Sequence, residues 1–368
     1  MTPELIVTFI AGLILLLVGA EVLVRGAAYL SQELGIAPLV VGLTVVAFGT
    51  SSPELAVSLN SVYTGEADIS VGNIVGSNIL NILLVLGIAS VITPMRVSKQ
   101  ILKQDLPLVI LISVLTYFFA MDMRINRWEG AILFSGLIIY IIYLMRKSSS
   151  LTAFEEELPE ESQSWGMKIS WLPEWLYNIT LVAIGLGMLI LGSRWLVTDS
   201  VIIARYFGIS ELVIGLTVIS IGTSLPEIAT SVLAGLRKKK DIAVGNVVGS
   251  NLFNLMMVLG LTSLISPHGL DVSATALHID IPYMIAIAVI AYPIFFTNWA
   301  VDRWEGFLFL LLYVGYTYYI MQNAVSSPHI DTYNEWILYY ATPLLGLLLL
   351  STFAIGYYRQ IFLRKNQS

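Results

Sequence analysis

A polar segment that occurs twice constrains the fold of this chain more than any other feature. The first copy runs from Gly42 and ends Gly49-Thr50-Ser51-Ser52-Pro53-Glu54. It is followed by Val71-Gly72-Asn73-Ile74-Val75-Gly76-Ser77-Asn78 and then Asn81. The second copy runs from Gly215 and ends Gly222-Thr223-Ser224-Leu225-Pro226-Glu227. It is followed by Val244-Gly245-Asn246-Val247-Val248-Gly249-Ser250-Asn251 and then Asn254. The offset is 173 residues without a gap, and about half of positions 39–87 are identical to their partners at 212–260. Each copy sets a carboxylate, hydroxyls, amides, a proline and glycines within apolar sequence, where polar groups are expensive and mark function. A duplicated pair of interrupted apolar segments points to the central binding site of a transporter.

The surrounding composition is that of a polytopic membrane protein. Of 368 residues 57% are hydrophobic and only 12% charged, and apolar runs of about 20 residues recur from end to end. Eleven spans are expected, near 5–24, 38–63, 69–93, 105–121, 128–145, 176–203, 211–235, 243–265, 280–297, 303–321 and 335–357. Met1-Thr2-Pro3-Glu4 lacks a basic flank and its apolar run reaches Leu23, so the first span is expected to be retained rather than cleaved. The absence of cysteine excludes disulfides, thiolate metal sites and thiol catalysis. The formal charge of −6 is dominated by one acidic loop and says little about partners.

Lys and Arg orient the spans. With the N-terminus outside, cytoplasmic loops hold 15 of these residues, including Arg96, Lys99, Lys103, Arg146, Lys147, the run Arg237 to Lys240, Arg359, Arg364 and Lys365. Outside loops hold Arg124, Arg127 and Arg205, and Arg194 lies within a span. The repeat extends outward from its core. Gly19, Leu23 and Val24 match Gly192, Leu196 and Val197, Asp105 and Pro107 match Asp280 and Pro282, and Arg127-Trp128-Glu129-Gly130 recurs as Arg303-Trp304-Glu305-Gly306. Five spans per half is an odd number, so the second half enters from the opposite side. The expected architecture is all-α: two inverted five-helix repeats forming a ten-helix core, plus an extra C-terminal transmembrane helix. The boundaries are 1–147, an acidic cytoplasmic linker at 148–175, 176–322, and a final span with a basic tail at 323–368. The linker, with Glu155, Glu156, Glu157, Glu160 and Glu161, reads as solvated chain. The Arg237–Lys240 run reads as a cytoplasmic anchor.

Ala47, Thr50, Ser51 and Glu54 fall on one helix face. Pro53 cannot bond the Gly49 carbonyl, and a freed carbonyl at membrane depth is tolerated only where it is buried or lines a polar cavity. Carbonyl, hydroxyl and carboxylate oxygens in one turn are hard ligands, suited to Ca²⁺ and Na⁺. Asn73, Ser77 and Asn81 make a second stripe, with Gly72 and Gly76 expected to admit close neighbours. The other half supplies Ser220, Thr223, Ser224, Glu227, Asn246, Ser250 and Asn254. Small and polar residues also glue membrane helices without binding ions, but two embedded carboxylates without Lys or Arg in the same segments need cations or protons. Asp68 and Asp241 read as helix N-caps. Glu21 and Arg194, equivalent in the repeat, fall at opposite depths, and each is expected to snorkel or to cap a nearby carbonyl.

The paired Gly-Thr-Ser-x-Pro-Glu segments, each followed by Val-Gly-Asn-x-Val-Gly-Ser-Asn-x-x-Asn, resemble the repeats of sodium/calcium exchangers, within the cation/calcium antiporter superfamily. The resemblance spans ten of the eleven spans. It implies a ten-helix core with four central sites, in which the first and sixth helices slide to alternate access. It implies Ca²⁺ bound by Glu54, Glu227 and the carbonyls of Thr50 and Thr223. Na⁺ would use these with Ala47, Ser51, Ser77, Ser220, Ser224 and Ser250. Some relatives carry Asp at the position of Asn254; here Asn81 and Asn254 are both amides, leaving two formal charges and disfavouring K⁺ co-transport. The expectation is an electrogenic Na⁺/Ca²⁺ antiporter in the plasma (inner) membrane. Its partners are Ca²⁺, Na⁺ and the lipid bilayer, with no cofactor, no nucleic acid and no obligatory protein partner. The alternatives are a Ca²⁺/H⁺ antiporter on the same scaffold, a cation channel, and an intramembrane hydrolase for which no nucleophile is evident.

Overall fold

The computed structural model describes residues 3–64, 67–148, 173–207 and 220–324. The expected eleventh span, most of the acidic linker and the first part of the seventh span lie outside the described residues. The first half comprises α1 (Pro3–Glu33), a bent pair α2 (Pro38–Thr50) and α3 (Ser52–Thr64), α4 (Ser70–Ile92), α5 (Ile101–Ala120) and α6 (Arg127–Ser148). The second comprises α7 (Glu174–Tyr206), α8 (Leu225–Leu236) after a turn at Ser220–Thr223, α9 (Lys240–Ile265), α10 (Ala276–Asn298) and α11 (Arg303–Ala324). Seven of these helices are long and apolar enough to cross a membrane, and α2 with α3 makes an eighth if the bent pair is one span. α11 is a 22-residue helix whose apolarity is lowered by Tyr313, Tyr316, Tyr318 and Tyr319. The protein is an all-α, multi-pass membrane protein.

α1 runs nine residues past its expected end because the charges there are matched: Arg25 donates to Glu21 one turn earlier, and Arg237 reaches the same carboxylate at 2.8 Å. This corrects the expectation for Glu21, which forms ion pairs rather than snorkelling alone. It also gives Arg237 a protein partner, beyond the anchoring role expected for its run. α1 lies along α7 with backbones in contact. A Cβ added at Gly185 would come 2.6 Å from the Leu23 nitrogen, and one at Gly192 would come 2.7 Å from the Gly12 carbonyl. Small residues at this seam permit the close approach that drives association in lipid.

Contacts between the halves come in equivalent pairs. A Cβ at Gly130 of α6 would lie 2.7 Å from the Gly260 carbonyl of α9, and one at Gly306 of α11 would lie 2.8 Å from the Gly87 carbonyl of α4. The repeated Arg-Trp-Glu-Gly motif explains itself here. Glu129 accepts the Asn126 N–H at 2.7 Å and Glu305 accepts the Asp302 N–H at 2.8 Å, each capping its helix start. Arg127 donates to the Leu264 carbonyl (3.0 Å) and Arg303 to the Ile92 carbonyl (3.4 Å), each closing the end of the other half's helix. Trp128 and Trp304 are exposed on the outer surface. Four two-residue strands repeat the pattern: β1 (Met95–Arg96) pairs antiparallel with β4 (Ala300–Val301), and β2 (Arg124–Ile125) with β3 (Leu270–Asp271). Arg124 and Asp271 add an ion pair at 2.8 Å.

Wide π-helical turns also recur, at Ile101–Asp105 and Ala276–Asp280 and at Asn81–Val85 and Phe253–Val258. Pro107 and Pro282 account for the first pair, since neither can bond the carbonyl four residues back. No proline explains the second pair, which begins at or beside Asn81 and Asn254. Asp241 sits inside the first turn of α9 rather than at the cap, which is Lys239; there it complements the helix dipole.

Candidate functional site

The turn that Pro53 is expected to crowd is a helix break rather than part of one continuous helix face, and a second break precedes Pro226. α2 and α3 meet at Ser51 with a bend of 41°. Ser51 has φ −81° and ψ 2°, and Ser224, before α8, has φ −95° and ψ 10°. Both lie outside the α-helical minimum, in the sparsely populated bridge region where site residues often sit. Each break delivers a Thr, a Ser and, three residues on, a Glu to the protein centre.

Thr50, Ser51, Glu54, Ser224, Glu227, Ser250, Asn81 and Asn254 are fully buried, and Ser77 is 4% exposed. The two carboxylates are close enough to repel one another. Among the described residues no Lys or Arg forms an ion pair with either. The breaks bind across the halves: Ser224 donates to Glu54 Oε1 at 3.3 Å, and the Thr50 and Ser250 hydroxyls lie 3.3 Å apart. Thr223 faces Glu54 as Thr50 faces Glu227. Ala47 is buried, packed where a Cβ on Gly249 would come 2.8 Å from its own Cβ. Ser77 and Asn81 on α4, and Ser250 and Asn254 on α9, continue the stripes begun by Asn73 and Asn246. Ser220 opens the turn before Thr223. No described residue approaches within 4 Å of a Cβ at Gly72 or Gly76; the segment equivalent to α2, residues 211–219, lies outside the described residues.

Several of these buried polar atoms have no hydrogen-bond partner among the described residues: Ser51 Oγ, Glu54 Oε2, both oxygens of Glu227, and both amide atoms of Asn81 and Asn254. Buried polar atoms are ordinarily paired, and a buried carboxylate without a counter-charge is strongly destabilising. An oxygen-rich, negatively charged centre of this kind fits a hard cation as its cargo. No group of three or more His, Cys, Asp or Glu side chains that could hold a resident metal occurs among the described residues.

Two further residues, Ser58 and Ser231, join this neighbourhood without a motif to announce them. Asn73 Nδ2 donates to Ser58 Oγ at 3.1 Å and approaches the Glu54 carbonyl at 3.4 Å, while Asn246 Nδ2 donates to Ser231 Oγ at 3.0 Å. Ser58 and Ser231 stand at the same 173-residue offset as the glutamates. That offset is the signal that could have found them.

A chain with a bent-helix pair, repeated cross-half contacts and a buried two-carboxylate centre is a membrane cation transporter in its construction. A family profile described as "Sodium/calcium exchanger protein" matches residues 4–146 and 177–322. The inner membrane protein YrbG of Escherichia coli (strain K12) is 38% identical over 287 residues, covering 76% of this chain and 85% of that protein. The sodium/calcium exchanger MaX1 of Methanosarcina acetivorans is 30% identical over 334 residues, covering 83% and 95%. The solved structure of the sodium-calcium exchanger NCX_Mj, soaked with Na⁺ and Ca²⁺, superposes with a TM-score of 0.72 at 29% identity, covering 85% of this chain and 97% of that one. The chain belongs to the sodium/calcium exchanger family. It is a cation/Ca²⁺ antiporter, not an enzyme, and its cargo ions need no cofactor.

Proposed function

We propose that this protein exchanges Na⁺ for Ca²⁺ across the plasma (inner) membrane and exports Ca²⁺, with both ions binding between Glu54 and Glu227. The observation that carries this reading is the pair of fully buried carboxylates at equivalent helix breaks, with no basic partner among the described residues. Ca²⁺ takes both carboxylates with the Thr50 and Thr223 carbonyls. Na⁺ adds Ala47, Ser51, Ser77, Ser220, Ser224 and Ser250, and Asn81 and Asn254 complete the lining as neutral groups. The two five-span halves, 1–147 and 176–322, are joined by the linker 148–175, and residues 323–368 add a further span. The Lys and Arg distribution supports an outside N-terminus and a cytoplasmic C-terminus, and the E. coli relative, by its name an inner membrane protein, supports the location.

Two site charges balance one Ca²⁺, so three Na⁺ in return move one net charge per cycle. That couples transport to voltage by about 2.3 kcal/mol per 100 mV. The experiment is Ca²⁺ flux in proteoliposomes with Na⁺, K⁺ and H⁺ gradients imposed one at a time, then at a fixed Na⁺ gradient with the potential clamped. A Na⁺ gradient alone is expected to drive Ca²⁺ counterflow, and a 100 mV inside-negative potential to change the attainable Ca²⁺ gradient about fiftyfold. Flux driven by H⁺ and indifferent to Na⁺ establishes the Ca²⁺/H⁺ reading instead. A Ca²⁺ gradient independent of potential refutes the three-for-one stoichiometry.

A further inference from the structure

Beside the candidate site, a hydrogen-bonded chain crosses from one half to the other with a definite direction. Thr50 Oγ1 donates to Asn246 Oδ1 at 3.0 Å, and Asn246 Nδ2 donates to Ser231 Oγ at 3.0 Å. Ser231 spends its own hydrogen on the Ala243 carbonyl at 3.5 Å, so toward Asn246 it acts as an acceptor. That fixes the amide with its oxygen facing Thr50. The equivalent Asn73 has the same orientation on independent grounds: its Nδ2 faces the Glu54 backbone carbonyl at 3.4 Å, which can only accept. Thr50 has one hydroxyl hydrogen; the Ala47 carbonyl, at 3.5 Å, is a more distant acceptor for it than Asn246, and the hydroxyl also faces Glu227. Nevertheless, neither oxygen of Glu227 has a hydrogen-bond donor among the described residues. Asn246 therefore takes the hydrogen that would otherwise fall on the carboxylate. With its hydrogen so placed, Thr50 turns its lone pairs toward Ser250, 3.3 Å away, and Ser250 can donate to it.

We infer that Asn246 is a positioning residue for ion selection: it withdraws the Thr50 hydroxyl hydrogen from Glu227 and, through Thr50, turns the lone pairs of Ser250 toward the ion. A cation is bound by oxygen lone pairs and repelled by hydroxyl hydrogens, so a buried cation site needs somewhere outside itself to send each hydroxyl hydrogen. Ser231 holds the amide in the orientation that does this. Without Asn246, the Thr50 hydroxyl rotates onto Glu227, and cargo must then displace a charge-assisted hydrogen bond before it binds. The inference rests on the assignment of Glu54 and Glu227 as the ion carboxylates.

The test is half-saturating Ca²⁺ and Na⁺ and maximal flux in proteoliposomes for Asn246→Leu, which keeps side-chain size and removes both amide functions. Asn246→Ala runs beside it so that a folding failure of one variant leaves the comparison intact. Each is expected to raise half-saturating Ca²⁺ about tenfold with a smaller change in maximal flux. The decisive arm adds Thr50→Val to either variant, which deletes the hydroxyl but keeps the Thr50 carbonyl. Half-saturating Ca²⁺ should then fall back toward wild type, because no hydroxyl remains to cap Glu227. A purely structural role for Asn246 predicts no rescue, and unchanged half-saturation in the single variants also overturns the inference. Glu227→Gln in the same assay separates the two levels. If it binds Ca²⁺ as wild type does, the site assignment itself fails; if it abolishes binding while Asn246→Leu has no effect, only the role of Asn246 fails.

Discussion

Replacing Glu54 with Gln should move the stability of this protein in opposite directions depending on whether Ca²⁺ is present. Glu54 is fully buried, one of its oxygens accepts a 3.3 Å bond from Ser224, the other has no partner among the described residues, and Glu227 repels it. In the absence of Na⁺ and Ca²⁺, the neutral amide removes that repulsion and a buried charge, so Glu54→Gln is expected to melt above wild type. With Ca²⁺ bound the sign reverses. Breaking a buried charge pair costs about 3–5 kcal/mol, or a hundredfold to a few thousandfold in affinity. At Ca²⁺ one hundred times the wild-type Kd, binding stabilises wild type by about 2.7 kcal/mol, whereas a hundredfold weaker site retains about 0.4 kcal/mol. Coulomb energy scales with ion charge, so Na⁺ loses about half as much as Ca²⁺ from the same change. The assay is thermal denaturation of purified protein in detergent with and without each ion, alongside Ca²⁺ flux in proteoliposomes. If Glu54→Gln and Glu227→Gln both keep the wild-type Ca²⁺-induced shift and wild-type flux, the carboxylates are not the ion site.

Gly192→Leu should cost about 1–3 kcal/mol in thermal stability and impair transport, because its Cβ would lie 2.7 Å from both the Gly12 carbonyl and the Leu16 nitrogen. Gly187→Ala on the same helix, with no described atom within 4 Å of a Cβ, should melt near wild type. In a double-mutant cycle on Glu21→Gln and Arg237→Gln, the coupling should be about 1 kcal/mol or less and vanish at high salt; a salt-independent coupling would contradict the half-exposed setting of this pair. A reporter fused after Lys365 should be cytoplasmic, and an extracytoplasmic signal would remove the final span from the proposed topology.

The parts legible in the sequence were those in which one residue's chemistry dictates a local event. Pro53 cannot continue a hydrogen-bond ladder, so a disturbed turn beside Ser51 was legible, although the full break there and its counterpart at Ser224 were not. Charge in apolar sequence singled out Glu54 and Glu227. What stayed hidden depended on partners remote in sequence. Ser58 and Ser231 look like ordinary small residues until Asn73 and Asn246 bind them from the next helix. Glu21 had no visible partner because Arg237 stands 216 positions away and approaches through packing. The repeated Arg-Trp-Glu-Gly motif announced equivalence without revealing that its arginine serves the opposite half. The wide turns at Asn81 and Asn254 have no residue, proline or otherwise, that marks them in advance.

The contacts that obey the repeat and those that break it divide by what they do. Glycine crossings, helix caps, strand pairs and Asn–Ser bonds appear twice, each copy joining the same parts of the two halves. A scaffold built this way is indifferent to which half lies nearer which membrane face, as a two-sided carrier requires. The exceptions include one bond within the site, from Ser224 to Glu54, whose counterpart side chains, Ser51 and Glu227, have no hydrogen-bond partner among the described residues, and charges near the ends of helices. Glu21 is equivalent to Arg194, and Arg237 to Thr64; the basic run Arg237-Lys238-Lys239-Lys240 answers to Thr64-Gly65-Glu66-Ala67. In the proposed inverted topology equivalent residues fall at opposite faces, and only one face tolerates an excess of Lys and Arg. The duplicated sequence therefore has to diverge where it meets the two surfaces, even while its interior is held alike by the shared site. The Glu21–Arg237 bond is what that divergence leaves behind: a link from α1 to the end of α8 that the equivalent residues, Arg194 and Thr64, lack the opposite charges to form.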